Sequence, residues 1–219
     1  MKLTDLLYEN VRDIWEGYLK HPFVRGIGDG SLDIERFRFF MLQDYLYLFD
    51  YAKVFALSVV KAQDSELMRH FSQLVYDTLN GEMAIHRSYM ARLGISEAEA
   101  AAVRPSLANT SYTHYMLEIG HNGSIPEILA SILACSWSYQ VIGEALSKIP
   151  GATEHPFYGE WISGYSSDEY VASNQTILDL VNCYGDRCSD EEIARLKDIF
   201  ANCSRYEAMF WDMAWNMEM

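Results

Sequence analysis

Asp33-Ile34-Glu35-Arg36-Phe37-Arg38-Phe39-Phe40-Met41-Leu42-Gln43-Asp44-Tyr45-Leu46-Tyr47-Leu48-Phe49-Asp50-Tyr51 opens a stretch that reaches Ala62 with no proline and no glycine. Asp33 is a candidate N-cap, because its short carboxylate can accept from the free backbone N–H groups of a first helical turn. Beyond it the apolar residues recur at helical spacing, which predicts one helix from Asp33 to about Ala62. The same spacing extends outward in both directions. Leu6, Val11, Ile14, Trp15 and Tyr18 mark a first helix. Ser65–Leu93, Ser106–Ile119, Ile125–Leu146, Ser167–Tyr184 and Asp190–Trp215 read as further helices. The breaks hold most of the prolines and glycines: His21-Pro22, Gly26 to Gly30, Gly94, Pro105, Gly120 to Gly123, Pro150-Gly151, Pro156 and Gly185. Gly26-Ile27-Gly28-Asp29-Gly30 lacks a preceding strand and reads as a turn. Asn122-Gly123 lies between helical segments, and no βαβ pattern occurs. The expectation is one all-α domain over residues 1–219.

Half of the 219 residues are hydrophobic and 14% are aromatic, which requires a sizeable core and excludes general disorder. Lys and Arg number 17 against 31 Asp and Glu, a formal charge of −14. With no Lys/Arg run, the chain lacks the basic footprint that nucleic-acid binding needs. Unbroken apolar runs are too short to cross a bilayer, so no membrane partner is expected. Met1-Lys2-Leu3-Thr4-Asp5 turns acidic too soon for a secretory signal. Four cysteines in a chain this long do not make a disulfide framework. These features predict a soluble cytoplasmic protein with free thiols. Aromatics on more than one face of the 33–62 helix also predict burial against further copies, a homo-oligomer.

Three residues stand out for chemistry. Cys135 sits in an apolar helix with Tyr139 one turn on, so thiol and phenol share a face. The plainer reading is a buried structural thiol. Asp44 interrupts a run of apolar and aromatic side chains, and Tyr47 and Tyr51 follow on its face. Such a face could hold a flat, nitrogen-bearing ring, or the carboxylate could simply pair with a tyrosine or a helix end. Glu207 lies among aromatics, where desolvation would raise its pKa into the range of a general acid or base. It could equally point to solvent. Cys183, Cys188 and Cys203 receive no role. Glu118-Ile119-Gly120-His121 has the spacing of a di-iron motif but occurs once, and Glu82 to His86 is spaced by four, so no metal site is expected. His21, His70, His114 and His155 show no paired spacing, and no nucleophile elbow, P-loop or dinucleotide fingerprint is present.

Taken in order, these windows resemble the TenA/thiaminase II family along almost the whole chain. His21 to Gly30 is similar to that family's first inter-helix loop. Leu42-Gln43-Asp44-Tyr45 with Tyr47, and Glu82-Met83-Ala84-Ile85-His86-Arg87, are similar to its second and third helices. Ser111-Tyr112-Thr113, Glu127 to Ala130 leading to Cys135, Trp161-Ile162 leading to Tyr165, and Glu207 with Phe210-Trp211 complete the match. The resemblance implies a haem-oxygenase-like helical bundle that binds no haem or other cofactor and assembles as a homotetramer. It implies a thiamin-salvage hydrolase converting 4-amino-5-aminomethyl-2-methylpyrimidine to the hydroxymethyl pyrimidine and ammonia, with thiamin cleavage as a second activity. On this resemblance Cys135 is the nucleophile and Glu207 the proton donor. Asp44, Tyr139 and Tyr165 contact the substrate, Tyr47 and Tyr112 support the cysteine and the ring, and Phe210 and Trp137 wall the pocket. Two other readings remain: a non-catalytic pyrimidine-binding or regulatory protein on the same scaffold, and a metal- or haem-dependent oxidase of that fold.

Overall fold

Asp33 does cap the long helix: its Oδ1 accepts from the Glu35 N–H at 2.8 Å and opens α3 (Ile34–Lys61). The computed structural model describes residues 1–219 apart from the side chain of Glu97. Before α3 come α1 (Leu3–Lys20) and α2 (Pro22–Asp29). After it come α4 (Ser65–Tyr76), a π-helical turn (Asp77–Glu82), α5 (Met83–Arg92) and the short α6 (Glu97–Ala102). The chain continues through α7 (Leu107–Asn122), α8 (Ile125–Leu146), α9 (Gly159–Tyr165), α10 (Asp168–Gly185) and α11 (Asp190–Asn216). No strand occurs among the described residues.

Two helices form the centre. In α8, Ser124 and Glu127 close a capping box and Pro126 sits in the first turn, so the start is fixed by local chemistry. Its sequence is long and apolar enough to span a membrane by composition alone, and 67% of that window is buried inside the bundle. α11 begins with a second capping box, Ser189 with Glu192. It packs along α8, α1 and α7, while α3 lies against α4, α5, α7, α8 and α11. One hydrophobic cluster runs through these contacts from Leu3 to Ala214.

Two local expectations need correction. The glycine-rich segment is not a plain turn: residues 22–29 form α2. Pro22 starts it, and the His21 Nδ1 accepts from the Phe23 N–H. Phe23, Val24 and Ile27 are fully buried, which offsets a cost of about 1 kcal/mol for each interior glycine. Only Gly30, at φ 75°, adopts the left-handed conformation that ends the helix. The expected helix from Ser65 to Leu93 is likewise interrupted by the π-helical turn at Asp77–Glu82. The aromatic richness of α3 is met largely within one chain. Phe37, Phe40, Tyr47, Tyr51 and Phe55 are buried in the bundle, and Phe49 is the aromatic of this helix that stays exposed.

Candidate active site

Seven elements converge on one cluster of buried and half-buried side chains. α3 supplies Asp44, Tyr47 and Tyr51, the π turn supplies Glu82, and α5 supplies His86. Tyr112 comes from α7, Cys135 and Tyr139 from α8, Tyr165 from α9, and Glu207 with Phe210 from α11. Helical spacing explains the grouping within each element, since residues three or four apart share a face. Rings tie the groups together. Tyr47 packs on Tyr51, Tyr112 and Phe210 at centroid distances of 5.4, 5.3 and 5.9 Å. Tyr139 packs on Tyr165 at 4.9 Å and on Trp211 at 5.2 Å.

The titratable groups are placed in an environment poor in cations. Burial, foremost, pushes the Glu207 carboxyl up to about 8, and the Asp44 carboxylate adds to this. The Tyr112 hydroxyl and Cys135 thiol beside it oppose the shift without reversing it. Burial also pushes the Cys135 thiol well above its ordinary range, reinforced by Glu207, Glu82 and Asp44, while the Tyr47 hydroxyl pulls it the other way. The Tyr112 hydroxyl is enclosed and makes no full hydrogen bond. In this resting site both the thiol and the Glu207 carboxyl favour their protonated forms at neutral pH.

Sequence reasoning missed a second set of contacts. The His86 Nε2 lies 2.7 Å from the Asp44 Oδ2, and both side chains are buried. The His86 Nδ1 lies 3.0 Å from the Glu82 backbone carbonyl. The Tyr165 hydroxyl donates to the Glu82 Oε1 at 3.1 Å. The spacing of four between Glu82 and His86 was visible in the sequence as a shared helix face, but its partner Asp44 lies on another helix.

Beside this cluster is a cavity of about 680 Å³, walled by α3, α4, the π turn, α5, α8, α9 and α10. Glu82, His86, Trp161, Tyr165, Tyr170 and Asn174 face it. Asp44, Cys135, Tyr139 and Glu207 do not form its wall. They adjoin it through Ser136, His86 and Tyr165. Ser136 is anchored there, its carbonyl accepting from the Tyr170 hydroxyl at 3.1 Å and from the Asn174 Nδ2 at 2.9 Å.

Neither residue expected to wall the pocket lines this cavity: Phe210 packs inside the cluster against Tyr47 and Phe40, and Trp137 lies elsewhere. Two residues past Cys135 is roughly 200° around a helix. Its ring therefore packs on Tyr8, Trp15 and Phe200 at 5.7, 5.1 and 6.3 Å, between α8, α1 and α11. It supports the back of α8 and walls no part of the cavity.

Residues 8–217 match the family described as TENA/THI-4/PQQC. The chain belongs to this family. A relative from Helicobacter pylori named aminopyrimidine aminohydrolase is 50% identical over 215 residues, spanning 98% of this chain and 99% of its own length. The solved structure of a TenA homologue from P. horikoshii OT3 superposes with a TM-score of 0.91 at 29% identity, covering 99% of both chains. A haem oxygenase-1 from Synechocystis, in complex with haem, shares the fold alone, with a TM-score of 0.69 at 14% identity over 99% of this chain and 94% of its own. This member of the family is thus an all-α bundle of the haem-oxygenase-like type. Haem iron needs an axial ligand, commonly an imidazole nitrogen. His86 is the histidine in the cavity wall, and both of its ring nitrogens are already engaged, so the wall offers haem iron no free imidazole.

Proposed function

We propose that this chain hydrolyses 4-amino-5-aminomethyl-2-methylpyrimidine to the hydroxymethyl pyrimidine and ammonia, with thiamin cleavage as a second activity. The relative named aminopyrimidine aminohydrolase, matched over nearly its full length, makes the chain an enzyme of the hydrolase class. The observation that carries the finer reading is the enclosure of Cys135, Glu207 and Asp44 in one aromatic cluster, with Glu207 raised to about 8. Asp44 would accept from the ring's amino group. The Cys135 sulfur would add to the ring. Electrons returning through the ring would break the bond from the 5-methylene to the leaving amine, and Glu207 would protonate that amine. Water would then add at the methylene, and the sulfur would depart. The carboxyls around Cys135 oppose thiolate formation, so the thiol proton would pass to the ring nitrogen beside the attacked carbon as the C–S bond forms and return to sulfur when that bond breaks. Glu207 would give its proton to the amine in its neutral form, and a thiazolium would leave as thiazole without one. Tyrosine faces and carboxylates suit such a cation.

The same reading carries four copies per assembly and a cytoplasmic setting, the latter supported by four unpaired thiols. The test is release of ammonia and hydroxymethyl pyrimidine by wild type, Cys135→Ser and Glu207→Gln. Turnover by wild type alone is expected. Turnover that survives Cys135→Ser would mean that water attacks directly. No turnover by wild type, with thiamin also tried, would leave a pyrimidine-binding protein.

A further inference from the structure

We propose that His86, held by the backbone carbonyl of Glu82, is a doubly protonated positioning residue that fixes Asp44 as a carboxylate with one oxygen left for the substrate. The identity of that substrate rests on the function proposed above; the state of the imidazole does not.

Counting protons narrows the choice to two states. A backbone carbonyl can only accept, so the His86 Nδ1, 3.0 Å from the Glu82 oxygen, must carry a hydrogen. The His86 Nε2, 2.7 Å from the Asp44 Oδ2, needs one proton between the two atoms. Placed on nitrogen, it makes an imidazolium–carboxylate pair. Placed on oxygen, it leaves a neutral pair. The surroundings favour the first. The charged or titratable groups nearest the ring are Asp44 on α3 and Glu82 on the π turn. Burial works against a charged imidazole, and these two carboxyl groups outweigh it. Tyr165 on α9 bonds Glu82, Tyr139 and Cys135 lie beside Asp44 on α8, and Glu207 faces them from α11. None of these carries a positive charge, so the imidazolium is the one cation of this buried cluster.

The geometry also explains the π turn. Six residues in a π-helical turn advance the chain differently from an α-helix and rotate the helix that comes after them. Here α5 begins directly after the turn, with His86 turned toward α3 and the Glu82 side chain turned toward α9. One oxygen of Asp44 is taken by His86, and no described residue hydrogen-bonds to the other. That second oxygen is the acceptor a ring amino group would use.

Two measurements decide this. In wild-type protein, ¹⁵N-edited NMR of the His86 ring at about pH 7.5, above the ordinary histidine range, is expected to show both nitrogens protonated. A neutral ring with hydrogen on Nδ1 alone would place the proton on Asp44 and overturn the proposal. In kinetics on the aminomethyl pyrimidine, His86→Gln is expected to lower kcat/KM by about 10- to 100-fold, mainly through KM, and to regain activity as pH rises. A loss equal at every pH would make His86 a packing residue and overturn it too. If wild type fails to turn over this pyrimidine or thiamin, the proposed reaction falls. The NMR result still decides the charge state of His86.

Discussion

Glu207 carries the clearest consequence at the scale of single residues, because burial holds its carboxyl up to about 8. A proton donor must be protonated to act, so activity that depends on it should fall as pH rises through about 8, and Glu207→Gln should remove that limb together with most of the turnover, about 10²- to 10⁴-fold. The same shift bears on stability. Between the ordinary carboxyl value of 4.5 and about 8, the folded chain holds a proton that the unfolded chain releases. Stability from this group is therefore complete below the lower value and is lost as pH rises through the upper one. Glu207→Gln is expected to melt above wild type at about pH 9, by an amount on the order of a few kcal/mol, and to match it at about pH 4. Thermal melts at the two pH values check this, and a variant less stable than wild type at the higher pH would refute it. Glu207 and Asp44 were legible in the sequence because a carboxyl inside an aromatic run contradicts its surroundings. His86 was not, since the residue that gives it meaning is distant in sequence. Periodicity reports what shares a face of one helix, never what faces it from another.

At the scale of elements, the site depends on how closely α9 approaches α8. Gly143 permits that approach: a Cβ there would stand 2.8 Å from the Tyr165 carbonyl carbon and 3.0 Å from the Ser166 nitrogen. Backbone atoms cannot swing aside as a flexible side chain can. Gly143→Ala should therefore push α9 outward and lengthen the Tyr165 to Glu82 hydrogen bond, which is 3.1 Å in the native arrangement. The expected result is a severalfold rise in KM with helical content preserved, offset only in part by the helix-favouring effect of alanine, about 1 kcal/mol. Steady-state kinetics beside far-UV circular dichroism would show it, and an unchanged KM would mean that Tyr165 does not depend on this contact. The long helices were readable from their spacing and caps. The shorter elements were not, for different reasons. α2 hid behind its glycines because tertiary burial of Phe23, Val24 and Ile27 decides it. The π turn, Asp77-Thr78-Leu79-Asn80-Gly81-Glu82, holds poor helix formers but no proline, and nothing in its spacing marks the extra residue. α9, with seven residues, is too short to show a period of its own.

Across the whole molecule, the formal charge of −14 and the carboxyls around the site act in the same direction. The cavity wall contains Asp77, Glu82, Glu160 and Glu169 and neither lysine nor arginine. Glu160 is paired with Arg92 outside the wall and the His86 imidazolium offsets one carboxylate, and Asp77, Glu82 and Glu169 together keep the net sign negative. A negative cavity in a negative protein raises the local concentration of cations and discourages anions. The proposed substrates enter as cations, an ammonium or a thiazolium, whereas the hydroxymethyl product is neutral and a phosphorylated pyrimidine is an anion. Salt screens this attraction, because the Debye length falls from about 20 Å in dilute buffer to a few ångströms near molar salt. For the aminomethyl pyrimidine, kcat/KM should fall severalfold as KCl rises from about 0.02 to about 0.5 M. Inhibition by the neutral hydroxymethyl pyrimidine should stay nearly constant over the same range. Measured together, the two slopes separate electrostatic capture from any general effect of salt on the fold. Equal slopes would mean that the acidic wall serves solubility alone, and that recognition rests on the stacked tyrosines and on the uncommitted oxygen of Asp44.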